Sequence, residues 1–170
     1  MQAFSTLLQT ALGDFEIAGS DLGVSRVHWL KKDAVRPEVA NLPDDHPVAQ
    51  AQQQLTEYFE GNRQTFDFKI DWGGAPEFHR RVWEELLKIP YGATRTYSDI
   101  ARAIGNDKAV RAVGMANRQN PIAIAVPCHR VIGKAGELRG YFYGLDAKME
   151  LLKLESPHRY AEQISLNLDF

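Results

Sequence analysis

Cys128 is the only cysteine in the chain, and it sits in the segment Pro127-Cys128-His129-Arg130-Val131. The thiolate is the reactive form of a cysteine, and positive surroundings lower a thiol's pKa and enlarge its thiolate fraction. His129 and Arg130 are two potential cations beside the sulfur, and His129 could accept the thiol proton if another group oriented it. Adjacent side chains on extended backbone point to opposite sides, so the pair needs a bend or a bridging water to communicate. A lone intracellular cysteine is more often a small buried hydrophobe, and only these neighbours argue otherwise. Glu155 is a candidate orienting group. It falls at the predicted C-terminal end of the last helix, where the helix dipole disfavours a carboxylate. Such a placement fits a partner such as an imidazolium, or a frayed surface glutamate. His28, His46, His79 and His158 are scattered without ligand-like spacing, and one cysteine excludes an internal disulfide and a multi-cysteine metal site. Neither a metal nor any other cofactor is expected.

The elements that must position these residues fall into two halves. Phe4 to Leu8, Asp14 to Ile17 and Leu22 to Leu30 alternate partially between turn signals at Leu12-Gly13-Asp14 and Gly19-Ser20-Asp21, which predicts an antiparallel meander. Lys31 to Asp45 reads as a loop. Pro47 opens a helix running to Phe59, with Gly61 as its stop. Thr65 to Ile70 alternates cleanly and predicts another strand. Asp71-Trp72-Gly73-Gly74-Ala75-Pro76 breaks regular structure, so the domain boundary is placed there, giving domains 1–76 and 77–158 and a tail 159–170. Beyond it, Phe78, Val82 and Leu86 predict a helix that ends at Pro90-Tyr91-Gly92. Tyr97, Ile100, Ala101 and Ile104 predict a second, with Thr96 and Asp99 placed as a capping box. Gly105 ends it, and Asn106 can cap a third from Asp107 to about Gln119. On that third helix Lys108, Arg111, Met115 and Arg118 lie opposite an apolar side of Ala109, Val110, Val113 and Ala116. Two short helices with a basic outer stripe match a helix-turn-helix, and equally a helical hairpin with a solvated face. The final helix spans about Leu145 to Glu155.

The charge distribution bears on that choice. The 170 residues carry a net charge of −2, which argues against a uniformly basic nucleic-acid binder. Residues 1–76, however, hold 6 Lys/Arg against 11 Asp/Glu, whereas residues 77–158 hold 13 against 9. An acidic half joined to a basic one is a hint of a polyanionic partner. With 44% hydrophobic residues the chain is neither disordered nor fibrous, and no apolar run is long enough to span a bilayer. The N-terminus has no basic n-region and no apolar h-region, so no secretion signal is expected and a cytoplasmic place (nuclear in a eukaryote) is.

Ile89-Pro90-Tyr91-Gly92, Arg111-Ala112-Val113-Gly114, Asn120-Pro121, Pro127-Cys128-His129-Arg130-Val131 and Gly140-Tyr141, in this order and spacing, resemble the O6-alkylguanine-DNA alkyltransferases. The resemblance runs from about Phe78 to Glu155. It implies an α+β protein: an N-terminal ribonuclease-H-like α/β domain followed by a helical, winged-helix-like domain containing a helix-turn-helix. It also implies a single-turnover repair protein, expected to be monomeric. Such a protein flips O6-alkylguanine, and O4-alkylthymine, out of duplex DNA and moves the alkyl group irreversibly to Cys128. A base alkylated at that oxygen is mispaired, so its extrusion costs less than usual. By this resemblance His129 takes the thiol proton through water, Glu155 holds His129, Tyr97 donates a proton to the leaving guanine, and Asn120 ties the helix-turn-helix to the site. Arg111 replaces the departed base while the helix bearing Lys108, Ala112, Gly114, Met115 and Arg118, with Thr96 nearby, meets the minor groove. Pro121, Tyr141, Phe142 and Tyr143 border the alkyl pocket. Where this family has small residues after Gly-Tyr, the chain has Phe142 and Tyr143. We therefore expect benzyl adducts to react more slowly than methyl ones, and equal rates on one duplex would refute that. Two rivals remain: a non-catalytic helix-turn-helix DNA-binding or lesion-sensing protein, which has no use for Cys128, His129 and Glu155 together, and a cysteine hydrolase, for which no oxyanion site is marked.

Overall fold

Alternation in the N-terminal third becomes three antiparallel strands in the computed structural model, which describes residues 2–160. They are β1 (Phe4–Thr10), β2 (Gly13–Ser20) and β3 (Gly23–Trp29), in the order β1-β2-β3. Register pairs Leu8 with Phe15, Phe15 with Trp29 and Ile17 with Val27, so the apolar set lies on one face. Helix α1 (Pro47–Phe59) covers that face with Val48, Ala51, Leu55 and Tyr58. Its start is set by Pro47 in the first turn and by His46, whose Nδ1 accepts from the Val48 N–H at 3.2 Å.

The strand expected over Thr65 to Ile70 does not form. The alternation is real, since Phe68 is buried between exposed Asp67 and Lys69, yet no neighbouring strand runs alongside. The Asp67 N–H is taken by the Gln54 side chain at 2.9 Å. Only Ile70 bridges to Val24, through Val24 N–H to Lys69 O and Asp71 N–H to Val24 O, both 2.8 Å. Gly23 makes this crossing possible. At φ +151°, a Cβ there would lie 2.9 Å or less from the backbone of residues 69–71.

The helical half follows: α2 (Glu77–Leu86), β4 (Arg95–Thr96), α3 (Tyr97–Ala103), α4 (Val110–Arg118), a 3-10 turn at Cys128–Arg130, β5 (Val131–Ile132) and α5 (Leu145–Glu155). Strands β4 and β5 pair in parallel. Helix α2 stops at Leu86 rather than at Pro90, because residues 87–89 close in turns. The capping box is present, with Thr96 Oγ1 accepting from the Asp99 N–H and Asp99 from the Thr96 N–H. Helix α4 starts at Val110, three residues later than expected, since Ala109 N–H bonds Asn106 O in a preceding turn. Lys108 is therefore on that turn and off the helix.

Both halves share one apolar core. A second seam joins them at β3, where Val27 N–H bonds Pro121 O at 2.9 Å and Ala123 N–H bonds Val27 O at 3.0 Å. The segment leading to Cys128 is thus sewn to the sheet edge. Nearly all of the expected tail, 161–170, lies outside the described residues. No helix among the described residues is long and apolar enough to cross a membrane.

Candidate active site

The approach to Cys128 is a tightly folded run. Val126 N–H bonds Ile122 O, and Cys128 N–H bonds Val126 O. Ile124 adopts φ 72° inside it, a conformation that a β-branched residue takes only when its surroundings impose it, at about 1–3 kcal/mol. Asn120 helps to impose it. Its Nδ2 donates to Val126 O at 2.7 Å and its Oδ1 accepts from the Ile122 N–H at 2.9 Å. Asn117 of α4 donates to the Cys128 carbonyl at 3.3 Å, so the helix and the thiol loop are coupled directly.

Cys128 begins the 3-10 turn, which supplies the bend the adjacent histidine needs. His129 is fully buried. Its Nε2 lies 2.7 Å from Glu155 Oε1, and its Nδ1 has no hydrogen-bond partner among the described residues. With Glu155 ionised, Nε2 carries the proton and the Nδ1 lone pair is open. Burial holds the imidazole below its ordinary pKa and outweighs the opposing pull of Glu155. His129 is thus a neutral base at rest.

Glu155 ends α5, as expected, and gathers three side chains. Tyr58 donates to Oε1 at 2.8 Å, and Arg130 donates from Nη2 to Oε1 and from Nε to Oε2, each at 2.8 Å. His129 is the third. Burial alone would raise the Glu155 carboxyl, but His129 and Arg130 hold it well below the usual range. Arg130 also donates to Ile89 O at 2.7 Å. Gly92, at φ +75°, lets the chain pass Glu155, whose carbonyl would be 3.3 Å from an added Cβ.

The sequence misplaces one charge. Arg130, read as a cation beside the sulfur, is committed to Glu155. Burial pushes the Cys128 thiol up, and the groups that oppose this are Asn120, Lys148 and nearby backbone N–H groups. Lys148 and Tyr58 escaped the sequence reading altogether. Tyr58 is 97 residues from Glu155 and carries no local signal. Lys148 could have been noticed, because it occupies the inward face of α5 with Leu151 and Leu152.

The remaining candidates divide. Tyr97, at the start of α3, donates to Arg139 O at 3.0 Å, and burial pushes its phenol up to about 12, so it keeps its proton. Gly114 packs beside the Tyr97 ring, whose nearest atoms an added Cβ would meet at 3.9–4.0 Å. Arg111, Ala112, Met115 and Arg118 are exposed together on α4, as is Lys108 on the turn, while Thr96 is spent on the cap. Pro121 bonds β3, and Tyr141 is buried against Tyr143. Tyr143 reaches across to β3, with its hydroxyl 3.1 Å from His28 Nδ1 and its ring 5.9 Å from Trp29. Phe142 is exposed. These two line a cleft of about 610 Å³ between β3 and α5 that Cys128 does not line. Among the described residues no group of three or more His, Cys, Asp or Glu could hold a metal ion.

Two family profiles match the chain. Residues 4–72 match the 6-O-methylguanine DNA methyltransferase ribonuclease-like domain, and residues 77–157 match the DNA binding domain of the same family. A methylated-DNA–protein-cysteine methyltransferase from Methanosarcina acetivorans is 45% identical over 153 residues, covering 89% of this chain and 97% of that protein. One from Mycobacterium leprae is 42% identical over 159 residues, covering 94% and 95%. The crystal structure of Mycobacterium tuberculosis O6-methylguanine methyltransferase superposes with a TM-score of 0.79 at 40% identity, covering 92% of this chain and 94% of that one. That bacterium's protein has also been solved in complex with DNA.

Proposed function

Because this chain belongs to the 6-O-methylguanine DNA methyltransferase family, we propose that Cys128 is its alkyl acceptor and His129, held by Glu155, the base that frees the thiolate. The activity is methylated-DNA–protein-cysteine S-methyl transfer, a direct reversal of DNA alkylation. The observation that carries the assignment is the buried His129, with Nε2 on Glu155 and Nδ1 open, next to the only cysteine.

The reaction balances as a displacement. The Cys128 proton passes to His129 Nδ1, the sulfur electron pair forms a bond to the alkyl carbon, and the carbon–oxygen bond breaks toward the guanine oxygen. Tyr97 donates its proton to the guanine ring as the charge develops there, and is later repaid from the protonated His129 through solvent. The Tyr97 hydroxyl must release or share the Arg139 carbonyl to do so. A resting thiol that burial keeps protonated does not react indiscriminately while the protein scans DNA. The thiolate appears only once the base is at work.

Alkylated guanine in double-stranded DNA is the substrate, met from the minor groove by α4. Support comes from its exposed face, where Arg111 and Arg118 flank Ala112 and the 62% exposed Met115, an apolar side chain suited to a groove floor. Arg111 stands in for the extruded base. Arg111→Ala should slow repair in duplex by about tenfold, about 1.4 kcal/mol, and leave reaction with the free methylated base nearly unchanged. Equal losses on both substrates would remove that role. Residues 1–76 act as a scaffold that anchors the thiol loop through β3, and the protein acts as a monomer. The reaction belongs in the compartment that holds the DNA. Mass spectrometry of the peptide containing Cys128, after exposure to methylated duplex, tests the assignment. A methyl group on that peptide is expected, and a methyl elsewhere contradicts it.

A further inference from the structure

Lys148 has no relative exposure at all, and among the described residues it pairs with no carboxylate. Its ammonium donates to two backbone carbonyls, Val131 O and, at 2.8 Å, Arg139 O. The Tyr97 ring lies 5.9 Å away. Burying a lysine without an anion is expensive, and an apolar residue would suit this inward position on α5 better. The other charged residue on the same face is Glu155, two turns on and about 10 Å along the axis.

The two charges have complementary surroundings. Glu155 serves His129, which becomes positive when it accepts the thiol proton. The Lys148 ammonium donates to Val131 O, at the exit of the Cys128–Arg130 turn, so its positive charge stands on the turn whose sulfur becomes negative in the same step and favours that charge. Arg139 O, meanwhile, accepts from both Lys148 and Tyr97, so the ammonium fixes the carbonyl against which the Tyr97 hydroxyl is aimed. We propose that Lys148 is a positioning residue of the transfer reaction, clamping the 139–144 loop beside Tyr97 and placing a positive charge where the Cys128 thiolate forms. This rests on Cys128 being the acceptor, and it assigns to α5 the stabilisation of both ends of the thiolate–imidazolium pair.

The groups facing Lys148 bear on its protonation. Tyr97 of α3 stays neutral, and Cys128 and His129 of the 3-10 turn are neutral at rest. Burial lowers Lys148 to about 8, which leaves it charged at pH 7, and ionisation of Cys128 favours that charge. Since Cys128 is the sole cysteine, its reaction with iodoacetamide can be followed without DNA across a range of pH. Lys148→Gln keeps a donor for the carbonyls but removes the charge, whereas Lys148→Arg keeps both. The rate–pH midpoint should rise by about one unit in Lys148→Gln, an approximately tenfold loss of rate at pH 7, and stay near wild type in Lys148→Arg. A Gln profile that overlays wild type, or an Arg profile that rises with it, overturns the proposal. If neither variant folds, lysine side-chain NMR of the wild-type protein decides. A charged Lys148 at pH 7 upholds the proposal, and a neutral one overturns it. Loss of methyl transfer from DNA in the wild type would overturn the acceptor assignment, while the thiol profiles would still judge the charge.

Discussion

Cys128→Ser will take no methyl group from alkylated DNA and will still bind the duplex with an affinity within about twofold of wild type. The substitution changes one buried atom, and the surroundings of that atom are not the face of α4 proposed to meet the DNA. Asn117 grips the Cys128 carbonyl, Asn120 grips the backbone around Ile122 and Val126, and neither contact involves sulfur. The exposed face of α4 is untouched. The chemistry, however, is lost, because a serine hydroxyl ionises far less readily than a thiol, and an imidazole that burial makes a weaker base than usual cannot make up the difference. Methyl transfer measured by intact mass should be undetectable, with binding followed by fluorescence anisotropy. If binding fell along with transfer, the cysteine would be a structural residue of the interface.

Glu155→Gln will lower stability by about 3–5 kcal/mol, which for a chain of this size is roughly 10–15 °C in melting temperature. Among the described residues the carboxylate is the sole anion paired with Arg130, whose guanidinium is buried with it, and removing it leaves that charge uncompensated. Transfer should fall by about a hundredfold or more, because His129 loses the group that fixes its tautomer and ring orientation. The pH dependence has a definite sign. The folded-state pKa of Glu155 is depressed, so its contribution is fully present above the unfolded glutamate pKa and is lost only as pH falls through the folded value. From pH 5 to 8 the gap between wild type and variant should therefore stay nearly constant, closing only in strong acid. Denaturant unfolding across that range checks this, and a gap that closes near neutrality would mean that Glu155 is not held ionised by its neighbours.

Local signals in the sequence were sufficient where a single turn decides the structure. Pro47 and Gly61 bracket α1, the Thr96 and Asp99 pair starts α3, and Glu155 falls at the end of α5, all from chemistry within a few residues. Thr65 to Ile70 shows the limit. Alternation reports which side chains are buried, while a strand also needs a partner, and the partner is present only at Ile70. The start of α4 slipped for a related reason, since Asn106 organises a turn before the helix instead of capping it. At the site, the residues adjacent to Cys128 were legible and their commitments were not. Arg130 neighbours the sulfur in sequence but serves Glu155, while Lys148, 20 residues on, returns to the exit of the Cys128–Arg130 turn through its bond to Val131 O. Electrostatics at Cys128 is thus set by packing, which no local spacing encodes.

The central claim is that each molecule accepts one alkyl group and is then spent. It is tested most directly by mixing a fixed quantity of protein with a large excess of duplex containing O6-methylguanine, and counting both lesions lost and methyl groups gained. One lesion lost per chain, matched by one methyl on Cys128 and followed by no further repair, is the predicted result. Continued loss of lesions beyond one per chain, or repair that leaves the protein at its original mass, would contradict it.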